Sequence, residues 1–318
     1  MPAKVLVETK DMPREQWLEW RRRGIGSSDA AAVAGLHPWL SAIEVWAEKT
    51  GFALPKEPSE QAEERMHWGN VLEDVIAREF AGRNQVRVRR RNAILQHPDY
   101  PFMIATLDRI VSTSDGPAVL EVKTTAERHR GQWVGQEGEA LIPDWYAIQV
   151  QHQLAVTGYN MAYVAVLIGG QEYQERLVPR DEELIESLIQ IEERFWTQHV
   201  LTGNPPPPSR PQDAELVDKL YPGGKPEPIT LPDDALELIE AYERWSDIER
   251  QARETKETIK ARIQAMMGDH EIGVVGNRKV RWTTYETTRF NAGALRVAHP
   301  EIWEEFAEKR TVRRFSVE

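Results

Sequence analysis

The chain has 318 residues, with 51 Asp+Glu against 40 Lys+Arg and a formal net charge of −11. That length suits one large domain or two smaller ones, and a content of 41% hydrophobic and 29% charged residues is that of a globular protein rather than a disordered one. The acid excess argues against coating nucleic acid by bulk charge, and the absence of Cys excludes disulfides, thiolate metal sites and cysteine nucleophiles.

In chain order, MPAKVLVETKD lacks the long apolar core of a signal peptide, and no later apolar run approaches the ~20 residues that span a bilayer. The expectation is a cytoplasmic protein with no membrane partner. Apolar spacing predicts helices over 13–23, 28–34, 42–50 and 60–82. Strand patterns follow: Val86 and Val88 alternate with arginines, 103–111 reads MIATLDRIV and 119–124 reads VLEVKT, with turn chemistry at Ser114, Asp115 and Gly116. A helix over 143–157 is closed by TGYN, the continuous apolar run AYVAVLI at 162–168 suits a buried strand, and a strand over 172–178 precedes a helix over 181–201. This order predicts an α/β fold, a mixed central sheet flanked by helices.

NPPPPSRP (204–211) and YPGGKPEP (221–228) cannot continue a helix and favour extended chain. They divide the sequence into a domain at 1–204, a linker at 205–231 and a C-terminal region at 232–318, neither half being basic. The C-terminal region reads as one long helix over 233–267, a hairpin over 272–285 around Gly276 and Asn277, a short helix over 300–309 and a final strand RRFSV.

The chemistry concentrates at Asp108, Glu121 and Lys123. Adjacent strands joined by a tight turn can bring the two carboxylates together, and a hard divalent cation such as Mg²⁺ relieves their repulsion. Glu121 and Lys123 lie two apart, so they share a strand face, where an ammonium can hold an attacking water and offset charge on a phosphorane. Acidic and basic residues on strands are commonly a solvated face with a surface ion pair, but Leu120 and Val122 interleave these two in a strand that reads as central. Glu73 sits on the helix WGNVLEDVIAREF, near Gly69, where another backbone can approach.

Together, W-G-x-x-x-E, A-T-L-D, L-E-V-K-T and Q-V-Q-H-Q-L-A-V-T-G resemble the YqaJ/lambda-exonuclease branch of the PD-(D/E)XK nucleases, as do IGSSDAAAVAGLHPW and EVWAEKTG nearer the N-terminus. The resemblance runs from about Arg21 to Gly170, although ATLD lacks the proline of the family's name. It implies a restriction-endonuclease-like core with the helix-plus-hairpin as a C-terminal extension. It also implies two Mg²⁺, or Mn²⁺, held by Asp108, Glu121 and the Val122 carbonyl, with Glu73 binding directly or through water. Lys123 would assist the water, and Gln149, which shares a helix face with Tyr146, would orient the phosphate or the water.

For DNA, Ser27, Ser28 and Asp29 open an alanine-rich helix behind Arg21, Arg22 and Arg23. An N-cap accounts for part of this, and a hydroxyl-bearing helix N-terminus beside arginines also suits phosphate. The resemblance implies a 5′-phosphate site using Ser28 and one of Arg22 and Arg23, the choice being open. Arg87, Arg89 and Arg91 would form a basic stripe on one strand face, or merely a charged edge, and Trp39 in HPWL is a candidate wedge or stacking group. No Walker loop or zinc spacing is present.

The expected function is a Mg²⁺-dependent 5′→3′ exonuclease on double-stranded DNA ends, leaving 3′ single strands for phage-type recombination with a single-strand annealing partner in a bacterial cell. The resemblance further implies a homotrimer. The alternatives are an endonuclease of the same fold, for restriction or branched DNA, and a non-catalytic DNA-binding scaffold.

Overall fold

Residues 2–53, 59–308 and 313–317 are described by a computed structural model. The chain forms two compact units, Met1–Lys219 and Leu220–Glu318. The first contains β1 (Lys4–Glu8), α1 (Arg14–Arg21), α2 (Ser27–Val33), α3 (Ala42–Thr50), α4 (Glu60–Asn84), β2 (Arg87–Gln96), β3 (Ile104–Thr113), β4 (Gly116–Thr125), α5 (Asp144–Thr157), β5 (Met161–Ile168), β6 (Glu172–Pro179) and α6 (Glu182–Phe195), with α7 (Ala214–Leu220) at its end. The second contains α8 (Ala235–Met267), β7 (Ile272–Val275), β8 (Arg278–Arg281), α9 (Ala292–Ala298) and α10 (Pro300–Phe306).

The six strands lie in sequence order. β1 to β4 run antiparallel, α5 carries the chain across so that β5 is parallel to β4, and β6 returns antiparallel. The sheet is therefore mixed and flanked by helices, as expected. On one face Ile76, Ala77 and Phe80 of α4 pack against Val111, Ala118, Leu120, Val122 and Ala165. Glu121, which alternates with Leu120 and Val122, is turned to the other side, where it is bonded by glutamines of α5. There α5 packs beside α2 and α6 through Ala30, Ala31, Ile148 and Leu188. A buried pair, His152 and Glu192 at 2.8 Å, joins α5 to α6, while the other ring nitrogen of His152 meets the Ile104 carbonyl of β3 at 2.9 Å. Gly158, at φ 70°, closes α5 in the left-handed conformation that the TGYN signal requires.

Several expectations change. KVLVE, unassigned in the sequence, is a strand paired to the Ala93–Gln96 end of β2. The stretch 205–219 is not a linker: it belongs to the first unit, where buried Asp213 accepts a hydrogen bond from Ser41 Oγ at 2.7 Å and caps the amides of Ser209 and Arg210. The final RRFSV forms no strand among the described residues, and α10 ends at Phe306, Lys309 lying outside the described residues. Among the described residues no helix is long and apolar enough to cross a membrane.

Candidate active site

The site forms where the β3–β4 ladder ends. Arg109 pairs with Leu120, and beyond that pair Asp108 Oδ2 accepts the Val122 amide at 2.9 Å, so a side chain replaces the next ladder bond. The strand ends open into a cleft of about 260 Å³ lined by Gly69, Asn70, Glu73, Asp108, Val122, Lys123 and Thr124. Glu121 is 2% exposed and receives three donors: Lys123, Gln149 at 2.6 Å on Oε1, and Gln153 at 2.7 Å on Oε2. Gln149 and Gln153 lie one helical turn apart on α5, so both reach one carboxylate. Lys123 Nζ also lies 4.8 Å from the centre of the Tyr146 ring, which Trp133 and Trp145 flank at 5.3 and 5.6 Å.

The electrostatics are those of three acids beside Lys123. Burial pushes the Asp108 carboxyl up, and Glu121 and, less, Glu73 push it further, to about 8, against the opposing effects of Lys123 and the Val122 amide. Burial pulls the Lys123 ammonium down, but Glu121 and Asp108 outweigh it and hold the group above its usual range.

Among the described residues no three His, Asp or Glu side chains surround one cation position. Glu73, expected to bind a cation directly or through water, lines the cleft, and its carboxylate is bonded by Arg109, a residue the sequence reading passed over. The remaining donors do fit a hard divalent cation. Asp108 and Glu121 are two buried carboxyl groups that raise each other's cost of ionisation, which is the charge arrangement such an ion relieves, and Val122, whose amide Asp108 accepts, directly follows Glu121.

The phosphate candidates resolve differently. Neither Arg22 nor Arg23 meets Ser28: Arg22 caps the end of α1, and Arg23 lies over the Trp20 ring at 3.8 Å. Arg21 takes that place, with Nη2 3.4 Å from Ser28 Oγ and 2.7 Å from Asp29. Asp29 is buried and also bonded by Lys49 at 2.6 Å. Burial alone would raise its pKa, yet Lys49 and Arg21 hold the carboxyl well below the usual range. Arg21, Ser27, Ser28 and Thr106 line one small pocket. Thr106 lies two residues before Asp108 on β3, so the pocket adjoins the cleft.

The arginine stripe is interrupted. The register of β2 slips between Arg89 and Arg91, which breaks strict alternation, and Arg91 is bonded to Glu8. Arg87 and Arg89 are exposed, on the part of β2 that β1 leaves uncovered. Trp39 is 59% exposed and packs edge-on against Trp145 at 5.5 Å, one ring away from Tyr146. Sequence reasoning named Arg21 beside Ser28 but favoured Arg22 and Arg23, and gave Arg109 and Gln153 no role; of these two only Gln153 left a signal, its four-residue spacing from Gln149.

A family model described as the YqaJ-like viral recombinase domain matches residues 16–160, which span Glu73, Asp108, Glu121, Lys123 and Gln149. The chain is 36% identical over 323 residues to a protein of Bacillus subtilis (strain 168) described as "uncharacterized protein YqaJ", covering 99% of this chain and 97% of that one. Among solved structures, the alkaline exonuclease LHK-Exo of Laribacter hongkongensis is similar at 16% identity and a TM-score of 0.46, over 65% of this chain and 100% of that one. A phage related exonuclease of Haemophilus somnus 129PT is similar at 12% identity and a TM-score of 0.43, over 59% and 99%.

Proposed function

The chain belongs to the YqaJ-like viral recombinase family, and on that premise we propose that it is a metal-dependent deoxyribonuclease. It degrades double-stranded DNA from its ends 5′→3′ and leaves 3′ single strands for an annealing partner. The observation that carries this reading is the meeting of Asp108, Glu121 and Lys123 at one open strand end, with Asp108 and Lys123 lining the cleft itself.

A divalent cation, Mg²⁺ or Mn²⁺, held by Asp108, Glu121 and the Val122 carbonyl would acidify water and neutralise phosphate oxygens. The chain's own groups do the rest. Lys123, on the same strand face as Glu121, can hold the attacking water and offset charge on the phosphate. The Tyr146 ring beneath its ammonium and the short bond to Glu121 fix its position. Gln149 and Gln153 hold the Glu121 carboxylate in one rotamer, which keeps the two acids at fixed spacing.

The Arg21–Ser28 pocket beside Thr106 supports end recognition: a guanidinium and a hydroxyl near the first turn of α2 suit a terminal phosphate, and Asp29 and Lys49 fix the guanidinium from behind. Family membership also supports a homotrimer, which light scattering of the purified protein would test. The assay for the activity offers Mg²⁺ with linear duplexes bearing 5′-phosphate or 5′-hydroxyl ends, alongside closed circular DNA. Progressive loss from phosphorylated ends is expected. Cutting of closed circles would replace the reading with an endonuclease, and inactivity in both Mg²⁺ and Mn²⁺ would end it.

A further inference from the structure

Asp108 and Arg109 are neighbours on β3, and alternation turns them to opposite faces of the sheet. Arg109 is turned toward α4 and is 4% exposed, although it carries a full charge. Its guanidinium bonds Glu73 and Asp74, and Nη1 also donates to the Asp108 carbonyl at 2.6 Å. A buried guanidinium is tolerated only when its donors are met, and its planar fork spans two carboxylates in a way an ammonium does not. Asp74 is also bonded by Arg90 and half exposed, so it lies toward solvent. Glu73 lies toward the cleft, on the same wall as Asp108 and Lys123.

We propose that Arg109 is a positioning residue that draws Glu73 away from the cation site of the cleft, so that a divalent cation must compete with the guanidinium for the third carboxylate. The proposal rests on the metal-dependent reading of the cleft. Two consequences follow from charge alone. Arg109 lowers cation affinity, both by occupying Glu73 and by its own repulsion. The same repulsion would disfavour a bound cation on the α4 side of the cleft relative to the side of Asp108 and Glu121, and small displacements of reacting groups slow turnover sharply. The ordinary outer partner of a metal ligand does the reverse, raising affinity, so removing one costs affinity by about 10–100-fold.

The test titrates Mn²⁺ into the full-length protein without DNA, by calorimetry, for wild type, Arg109→Gln, Glu73→Gln and the double variant. The expected result is Mn²⁺ bound roughly tenfold more tightly by Arg109→Gln, about 1.4 kcal/mol, with kcat lowered in the Mg²⁺ cleavage assay. The gain should vanish in the Glu73→Gln background, since it is exerted through that carboxylate. Unchanged or weaker binding by folded Arg109→Gln would overturn the proposal, as would a gain that persists without Glu73. If Arg109→Gln fails to melt cooperatively, Arg109→Lys keeps a cation but not the fork and should bind with a smaller gain; no gain there overturns the proposal as well. Because affinity is read without DNA, a wild type that binds Mn²⁺ but cuts nothing would fail the nuclease reading while leaving the comparison of affinities to decide the role of Arg109.

Discussion

Glu121 shows how the site is held at the scale of single residues. A nearly fully buried carboxylate is tolerated because Lys123, Gln149 and Gln153 all donate to it. Gln153→Leu leaves Oε2 without that donor, and should cost roughly 1–3 kcal/mol of stability. A melting temperature equal to wild type would show that the bond contributes nothing. Lys123→Ala should lower turnover by about 10²-fold or more while the fold is retained; cleavage at the wild-type rate would mean the site is misplaced. Asp29 carries a pH prediction. Its carboxyl is depressed in the folded chain from 3.8 when free, so its contribution is complete above that value and is lost as pH falls through the lower, folded value. The stability difference between wild type and Asp29→Asn should be constant from about pH 5 upward and shrink below it. Asp108, Glu121 and Lys123 were legible because strand alternation and a turn bring them together locally. Arg21 was not, since its selection over Arg22 and Arg23 depends on how α1 is rotated against α2.

At the scale of elements, the segments whose stability is local were legible. The 42–50 helix starts on Ser41, which exchanges hydrogen bonds with Glu44, and ends on Gly51. β1 was not legible, because five residues of mixed polarity become a strand only through pairing with residues about 90 positions later. Gly24 holds the entry to α2 against the sheet: a Cβ there would meet the Phe102 carbonyl oxygen at 2.7 Å and Ile104 Cγ2 at 2.9 Å. Gly24→Ala should therefore destabilise the protein and weaken any preference for 5′-phosphorylated ends. Wild-type melting together with an unchanged preference would exclude that role. Asp213→Ala removes the buried acceptor that fixes the proline-rich segment to Ser41 and should make 205–219 more readily cut in limited proteolysis than in the wild type; equal cutting rates would exclude that role.

For the whole molecule, the cleft and the pocket lined by Arg21 and Ser28 lie entirely within the unit that ends at Lys219. A chain truncated after that residue should melt cooperatively and bind Mn²⁺ as the full chain does; failure to fold would place an essential part of the core beyond it. The net charge of −11 lost its apparent force against a nucleic-acid enzyme once the charges had positions, since Asp108 and Glu121 converge on one cleft while Arg21 and Ser28 form a phosphate-sized pocket beside it. By itself the sequence determined the mixed α/β order, the β3 and β4 strands that carry Asp108 and Glu121, and the shared face of Glu121 and Lys123, because periodicity and turn chemistry act over a few residues. Only the tertiary structure decided that Arg109 takes Glu73, that Arg21 is the arginine at Ser28, and that 205–219 belongs to the first unit. The first and last are set by which buried charge finds a partner across 36 and 172 positions of chain, and the choice of Arg21 by how α1 is rotated against α2; no local pattern encodes either.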